Sequence, residues 1–261
     1  MNNILNELCD LRRADAVERE KTTPYEEVMR RIENMAAPRD FAAAFRGNGI
    51  NIIAELKKAS PSEGMIREDF RPAELAEELA GAGAAAMSVL CEPHRFLGGE
   101  EYLRTARQVV DIPILYKDFI STRYQVAEAR AAGADCILLI AAALDDAALV
   151  ALRAQARELG MAALVETHSE SEIRRAIALD CKIIGVNCRD LRNFRTDTSL
   201  IAELIGLIPK ECTRIAESGM RTAKAIREAH EAGADGFLVG TALMRSPRPG
   251  MKLRELMTEE N

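Results

Sequence analysis

The sequence predicts an α/β fold of the (β/α)8 TIM-barrel class with an N-terminal helical extension, and three observations carry that expectation. Apolar strand candidates recur eight times, at 50–56, 85–90, 112–116, 136–140, 161–165, 182–186, 213–216 and 236–239, with helical patterns between them. Strict β-then-α alternation requires parallel strands joined by right-handed crossovers. A weak internal repeat, Ala82-Gly83-Ala84, Ala132-Gly133-Ala134-Asp135 and Ala232-Gly233-Ala234-Asp235, ends a helix and opens a strand each time. Its glycine suits the left-handed residue that stops a helix. Finally, 261 residues is close to the ~250 typical of this barrel. An open doubly wound sheet is the alternative, and no GxGxxG or GxxxxGK[ST] follows the first strand to support it. The expected organisation is one domain over 1–261, with the extension at 1–48 and the barrel at 49–261.

Taken in order, residues 4 to 20 read as a charged amphipathic helix with Ile4, Leu5, Leu8 and Leu11 on its apolar face. A second helix starts with Thr23 as N-cap, Pro24 at N1 and Glu26 at N3, and runs to about Met35. In the repeating part, Pro72 opens a helix at N1, and Glu100 to Val110 carries Leu103, Ala106 and Val110 on one face. Thr122-x-x-Gln125 and Ser169-x-x-Glu172 are capping boxes, and Asp145 caps a helix that closes on Gly160. Leu200 to Ile208 and Thr222 to Ala232 supply two more helices, and Leu179-Asp180-Cys181 takes the repeat's place before the sixth strand.

In such a barrel the chemistry gathers at the carboxyl ends of the strands. The first strand runs into Ala54-Glu55-Leu56-Lys57-Lys58-Ala59-Ser60-Pro61-Ser62. Period-2 alternation puts Ile53, Glu55 and Lys57 on one face and Ile52, Ala54 and Leu56 on the other, with Lys58 off the inner phase. An ion pair capping one strand is ordinary. Other strands end alike, however: Leu115 is in phase with Lys117, Leu164 with Glu166, and Gly185 with Asn187 and Arg189. Uncompensated charges converging on one rim would cost several kcal/mol each, which favours a functional reading. Glu217 falls off this alternation phase. Ser218-Gly219 and Gly240-Thr241, after strands seven and eight, have the make-up of a phosphate cradle. Ser60 and Ser62 can reach the same rim.

Composition narrows the function classes. The net charge is −6, interspersed, with no basic block for nucleic acid and no polybasic segment for a membrane surface. Residues 1–7 lack a signal peptide's pattern, and no run of ~18 apolar residues exists. The six cysteines form no CxxC pair, so reduced thiols in a cytoplasmic protein are expected and a zinc site is not.

The segments AELKKASPSEG, LYKDFI, LVETH, GVNCRDL, AESGM and LVGTALM, in this order and spacing, resemble the indole-3-glycerol phosphate synthase family, over essentially the whole chain. The resemblance implies closure of an indole ring from 1-(2-carboxyphenylamino)-1-deoxyribulose 5-phosphate with loss of CO2 and water, by a lyase of tryptophan biosynthesis. It implies Lys117 as principal general acid, with Glu166 and Lys57 in charge stabilisation and proton transfer, and Glu55 and Asn187 beside them. It places phosphate on Ser60, Ser218, Gly219, Gly240 and Thr241, and the aromatic end in a slot of Phe96, Phe119 and Leu138. Arg189 is expected to organise the rim. Glu217 enters the site on the resemblance alone. No metal or redox cofactor is implied, because the substrate's own iminium is the electron sink for decarboxylation. The expected partner is an anionic phosphorylated small molecule, bound by a monomer.

Three departures accompany the resemblance. Glu63 stands where the family usually has a basic residue, with Arg67 as a candidate for compensating its charge. Cys188 is unusual in GVNCRDL, and the first helix has no tryptophan. Of the histidines, His168 can either tune Glu166 or pack at a helix start, His230 reads as structural and His94 as solvated. Two rival readings remain. Phosphoribosylanthranilate isomerase would use a Cys/Asp pair, against which KxxSPS and KDF argue. A catalytically inactive barrel would need no Lys57, Lys117 and Glu166 set.

Overall fold

In the computed structural model, residues 4–47, 49–189 and 200–258 are described. Met1–Asn3 and Asn48 of the extension, the final Asp190-Leu191 of GVNCRDL and the last three residues lie outside that set. Eight parallel strands close into a barrel: β1 (Ile52–Leu56), β4 (Ala86–Leu90), β5 (Ile114–Lys117), β6 (Cys136–Ile140), β7 (Ala162–Thr167), β8 (Ile183–Asn187), β9 (Thr213–Glu217) and β10 (Gly236–Val239), which pairs back onto β1. A small antiparallel hairpin, β2 (Ala59–Ser60) with β3 (Gly64–Met65), stands on the loop after β1.

Alternation along the strands separates two cores. Ile53, Leu115, Leu164, Ile183, Ile215 and Leu238 fill the barrel interior. Their neighbours Ile52, Ala54, Leu56, Met87 and Val89 face outward against helix residues such as Leu75, Leu79 and Leu103. Burial of both strand faces explains why the strands read as continuous apolar runs. The amino-terminal mouth is plugged by Phe41 and Phe45, whose rings lie 5.2 Å apart. They flank a 3-10 turn (Ala42–Phe45) that periodicity did not reveal. Phe45 sits so close to Gly236 that a Cβ there would collide with its ring.

The repeat glycines 83, 133 and 233 all have positive φ, as expected, and Asp180 takes the same left-handed role at φ 58°. The Thr122–Gln125 capping box is complete. Asp145 caps its helix through Ala148 N–H. The Ser169 box is half made: Ser169 accepts from Glu172 N–H, but the Glu172 carboxylate accepts from His168 N–H instead of reaching back to Ser169. The helix start at Thr23 also differs. The first helix, α1, runs on over Ile4–Thr22, and Thr23 N–H bonds back to Arg19 O. Thr23 is therefore used in ending α1, Pro24 takes the N-cap position, and α2 spans Tyr25–Ile32, short of Met35.

α1 is held against the barrel by charge as well as by Leu5, Leu8 and Cys9. Arg12, 3% exposed, donates through Nε and Nη2 to the buried Asp118 carboxylate at 2.9 and 2.6 Å. Arg19 pairs with Glu128 at 2.6 Å, and Glu7 with Arg95 at 2.7 Å. His94 is exposed, as expected, and also contacts Asp15 of α1 at 2.8 Å. His230 is structural, edge-on to Phe237.

Candidate active site

At the carboxyl-terminal mouth, one cleft is lined by all fifteen catalytic and substrate-binding candidates, though not by Ser62, which was expected to reach the same rim. Lys57, Lys117, Glu55, Glu166 and Asn187 are there. So are Ser60, Phe96, Phe119, Leu138, Arg189, Glu217, Ser218, Gly219, Gly240 and Thr241. Leu90, Leu238, Pro61, Met220, Arg221 and Ala242 also line it and were not anticipated. Leu90 and Leu238 sit on the inward phase of their strands and were legible by parity. The others come from loops, where no periodicity applies.

The Lys117 ammonium donates to Glu217 Oε2 at 2.8 Å and to Glu166 Oε2 at 3.3 Å. Burial alone would drive it toward the neutral amine. The facing charges of Glu217, Glu166 and Glu55 outweigh that and hold its pKa well above the lysine value. Glu217 corrects the parity expectation. It follows Ile215 on the inward face of β9, is 1% exposed, and touches Lys117 directly. The alternation ends right after it, because Ser218 is left-handed at φ 62° and Gly219 at φ 77°. That turn lets two consecutive residues, Glu217 and Ser218, face the same cleft. A non-glycine residue at positive φ is uncommon, and such strain concentrates at functional sites.

The two carboxyls around Lys117 are driven apart. Burial raises both, but for Glu166 the charges of Lys117 and His168 prevail, and its carboxyl stays far below the ordinary range. Glu217 is raised to about 7, by burial first and by the Glu166 charge, against the pull of Lys117. The pair shares its protons as a unit, with ionisation resting on Glu166.

His168 is the reason Glu166 prevails. Its Nε2 lies 3.3 Å from Glu166 Oε1 and its Nδ1 3.4 Å from Glu172 Oε2, close ion-pair contacts without well-aligned hydrogen bonds. Burial opposes the imidazolium, but the two carboxylates raise its pKa from 6.5 to about 10. Of the two roles weighed for His168, tuning Glu166 is the one its contacts support. Its folded-state value lies above the ordinary one. The stabilisation is therefore complete below about pH 6.5 and is lost as pH climbs through about 10. The thermal midpoint should fall more steeply between those limits in the natural protein than in His168→Gln. Glu217 titrates lower and is present in both proteins, so parallel curves would show that the imidazole is not charged.

Across the cleft, Lys57 Nζ meets Glu55 Oε2 at 2.6 Å. Gly240 leaves room for this pair, since a Cβ there would collide with the Glu55 carboxylate and crowd Lys57. Ser60 is 2% exposed, and its hydroxyl has no protein partner. A buried polar group of this kind in a cleft is poised for a ligand. Arg189 lies on the rim, where its N–H bonds Asn187 Oδ1 at 3.0 Å and its guanidinium reaches Ser62 Oγ at 3.3 Å. Phe96 and Phe119, 6.1 Å between ring centres, form an apolar wall with Leu138. Glu92, fully buried, accepts the N–H groups of His94, Arg95 and Phe96, and so shapes the loop that presents Phe96.

The Glu63 charge is neutralised, though not by Arg67. Arg67 donates to the carbonyls of Met244 and Ser246. Glu63 instead pairs with Arg221 at 2.7 Å and with Arg245. Among the described residues no cluster of His, Cys, Asp and Glu is arranged to hold a metal ion, and none of their helices is long and apolar enough to cross a membrane.

Comparison with solved structures places the fold among (β/α)8 barrels. Thiamine phosphate pyrophosphorylase from Pyrococcus furiosus superposes with a TM-score of 0.59 at 17% identity, over 79% of this chain and 93% of that one. Orotidine 5'-phosphate decarboxylase from Pyrococcus horikoshii gives 0.60 at 14% identity, over 79% and 97%. At such identities the likeness speaks for the fold alone. Sequence comparison goes further. Indole-3-glycerol phosphate synthase of Acidithiobacillus ferrooxidans is 44% identical over 260 residues, covering 98% of this chain and 99% of its own. That of Laribacter hongkongensis is 45% identical over 261 residues, with the same coverage. The family model for indole-3-glycerol phosphate synthase matches residues 5–256. With relatives this similar over nearly their whole length, the chain belongs to the indole-3-glycerol phosphate synthase family.

Proposed function

We propose that this cleft closes the indole ring of 1-(2-carboxyphenylamino)-1-deoxyribulose 5-phosphate, releasing CO2 and water, with Lys117 as the principal general acid. The observation that carries the assignment is the Lys117 ammonium held between Glu217 and Glu166, opposite the Lys57–Glu55 pair and in one cleft with the Ser218-Gly219 and Gly240-Thr241 loops.

The reaction begins when the aryl carbon that bears the carboxylate attacks the ketone. Lys117, kept cationic by its neighbours, gives its proton to the ketone oxygen as that oxygen becomes a hydroxyl. Glu217, whose carboxyl holds a proton near neutrality, returns one to Lys117. Positive charge grows on the ring nitrogen in the same step, and the ionised Glu166 stabilises it. Loss of CO2 neutralises that iminium. Departure of the hydroxyl as water needs a second acid, a role open to Lys57, which Glu55 orients, or to Lys117 once reprotonated. It also needs a base that takes the proton from the neighbouring methylene carbon as the ring double bond forms, a role for the ionised Glu166. Asn187, at the end of β8, offers an amide to the same substrate. Lys57 is also placed to bind the substrate carboxylate before it leaves.

Phosphate is assigned to Ser60, Ser218, Gly219, Gly240 and Thr241, and the anthranilate ring to Phe96, Phe119 and Leu138. Residues 1–48 act in this reading as an extension of one barrel domain. The reading also takes the protein as a cytoplasmic monomer whose partner is a small phosphorylated anion rather than nucleic acid or membrane. The free cysteine thiols are in keeping with a reducing compartment. Incubating the purified protein with the carboxyphenylamino-deoxyribulose phosphate should generate indole fluorescence. Well-folded protein that leaves this compound unchanged would refute the proposal.

A further inference from the structure

Glu63 is an acidic residue set where an anion is expected to bind. Its side chain is 12% exposed, although it stands on a loop. The β2–β3 hairpin builds the turn that carries it, and its N–H bonds back to Ser60 O. Its carboxylate takes Arg221 on one oxygen, at 2.7 Å, and Arg245 on the other. Arg221 stands in the turn after β9, its N–H bonding Gly219 O at 2.8 Å, and Arg245 caps the far end of the short helix that Gly240-Thr241 opens, its N–H bonding Thr241 O at 3.0 Å. Arg221 also lines the cleft. The carboxylate thus occupies guanidinium donors of the kind a phosphoryl group would use, one of them on the cleft wall at Arg221.

We propose that Glu63 sets the phosphate affinity of the cleft, as a built-in anion that competes with the ligand's phosphate for Arg221 and Arg245. This inference rests on the assignment of phosphate to the Ser218-Gly219 and Gly240-Thr241 loops. A carboxylate beside a dianion disfavours it through space, and a guanidinium already paired offers fewer donors. Both effects weaken ground state and transition state alike, because the phosphate takes no part in bond making. Removing the charge therefore acts as a change in uniform binding.

The test is inhibition of turnover by inorganic phosphate in the natural protein and in Glu63→Gln, which keeps the shape and removes the charge. The inhibition constant should fall about fivefold, as expected for releasing two half-exposed arginines. The substrate KM should fall, and kcat/KM rise, by the same factor. Raising the salt concentration should shrink the difference, since these arginines are screened. In an Arg221→Gln background the Glu63→Gln effect should be smaller, which measures the coupling directly.

An inhibition constant that is unchanged or higher in Glu63→Gln would overturn the proposal, leaving Glu63 a brace for the loop. Gly219→Ala, strained at its positive φ, separates the two assignments. If it weakens inorganic phosphate while Glu63→Gln has no effect, only the role of Glu63 fails. If neither substitution alters phosphate inhibition, the cradle assignment fails with it.

Discussion

Lys117→Ala is expected to lower kcat at least about a thousandfold, in the upper part of the range for loss of a positioned general acid. The expectation comes from the proton inventory at the mouth of the barrel. Lys117 is the cation between Glu217 and Glu166. Glu166 is ionised and cannot donate, and Glu217 faces the ammonium rather than a second donor. The substitution leaves two buried carboxyls with one cation fewer. Glu217 should answer by holding its proton to higher pH, so folding is retained at neutral pH and weakens toward alkaline pH. Single-turnover measurement of indole formation checks the chemistry, and circular dichroism over a pH series checks the folding. A near-natural rate in Lys117→Ala would move the general-acid role to Lys57.

The second large effect is on stability. Arg12→Ala should cost about 3–5 kcal/mol, as breaking a buried ion pair from one side does. At the 2–4 °C per kcal/mol typical of chains near this size, the thermal midpoint should drop on the order of 10 °C. Asp118 is 2% exposed and takes two guanidinium donors from Arg12, which it would lose together. Its remaining partner is Phe119 N–H at 2.8 Å. Asp118 sits between Lys117 and Phe119 in sequence, so the same pair connects α1 to the general acid and to the aromatic slot. Arg12→Ala should therefore also raise KM, while its kcat falls less than that of Lys117→Ala. Differential scanning calorimetry with steady-state kinetics measures both. A midpoint within 2–3 °C of the natural protein, below about 1 kcal/mol, would mean that water satisfies Asp118 in place of Arg12.

Much of the fold was readable because it rests on local repetition. Eight apolar runs, capping residues such as Thr122 and Asp145, and helix-ending glycines each act within a few residues of themselves. The inward phase of Ile53-Glu55-Lys57, Leu115-Lys117 and Leu164-Glu166 follows from the two-residue period of a strand. Loop contacts were less readable. Arg67 was a reasonable partner for Glu63, being four residues away, yet Arg221 and Arg245 hold it from loops that meet only when the barrel closes. The contact of the exposed His94 with Asp15 was hidden for the same reason, since Asp15 approaches it from α1.

By itself, the sequence determined the alternating barrel and which ionisable and small polar side chains end its strands at one mouth, because strand and helix periods decide which side chains share a face. Only the tertiary structure decided the ionisation of those groups. Glu166 and Glu217 are chemically the same side chain on neighbouring walls of one barrel. His168 and Lys117 keep the first charged, while burial beside that charge leaves the second holding a proton near neutrality. The difference depends on distances of a few ångströms between β5, β7 and β9. Those distances come from the closure of the barrel and leave no trace in the order of residues along the chain.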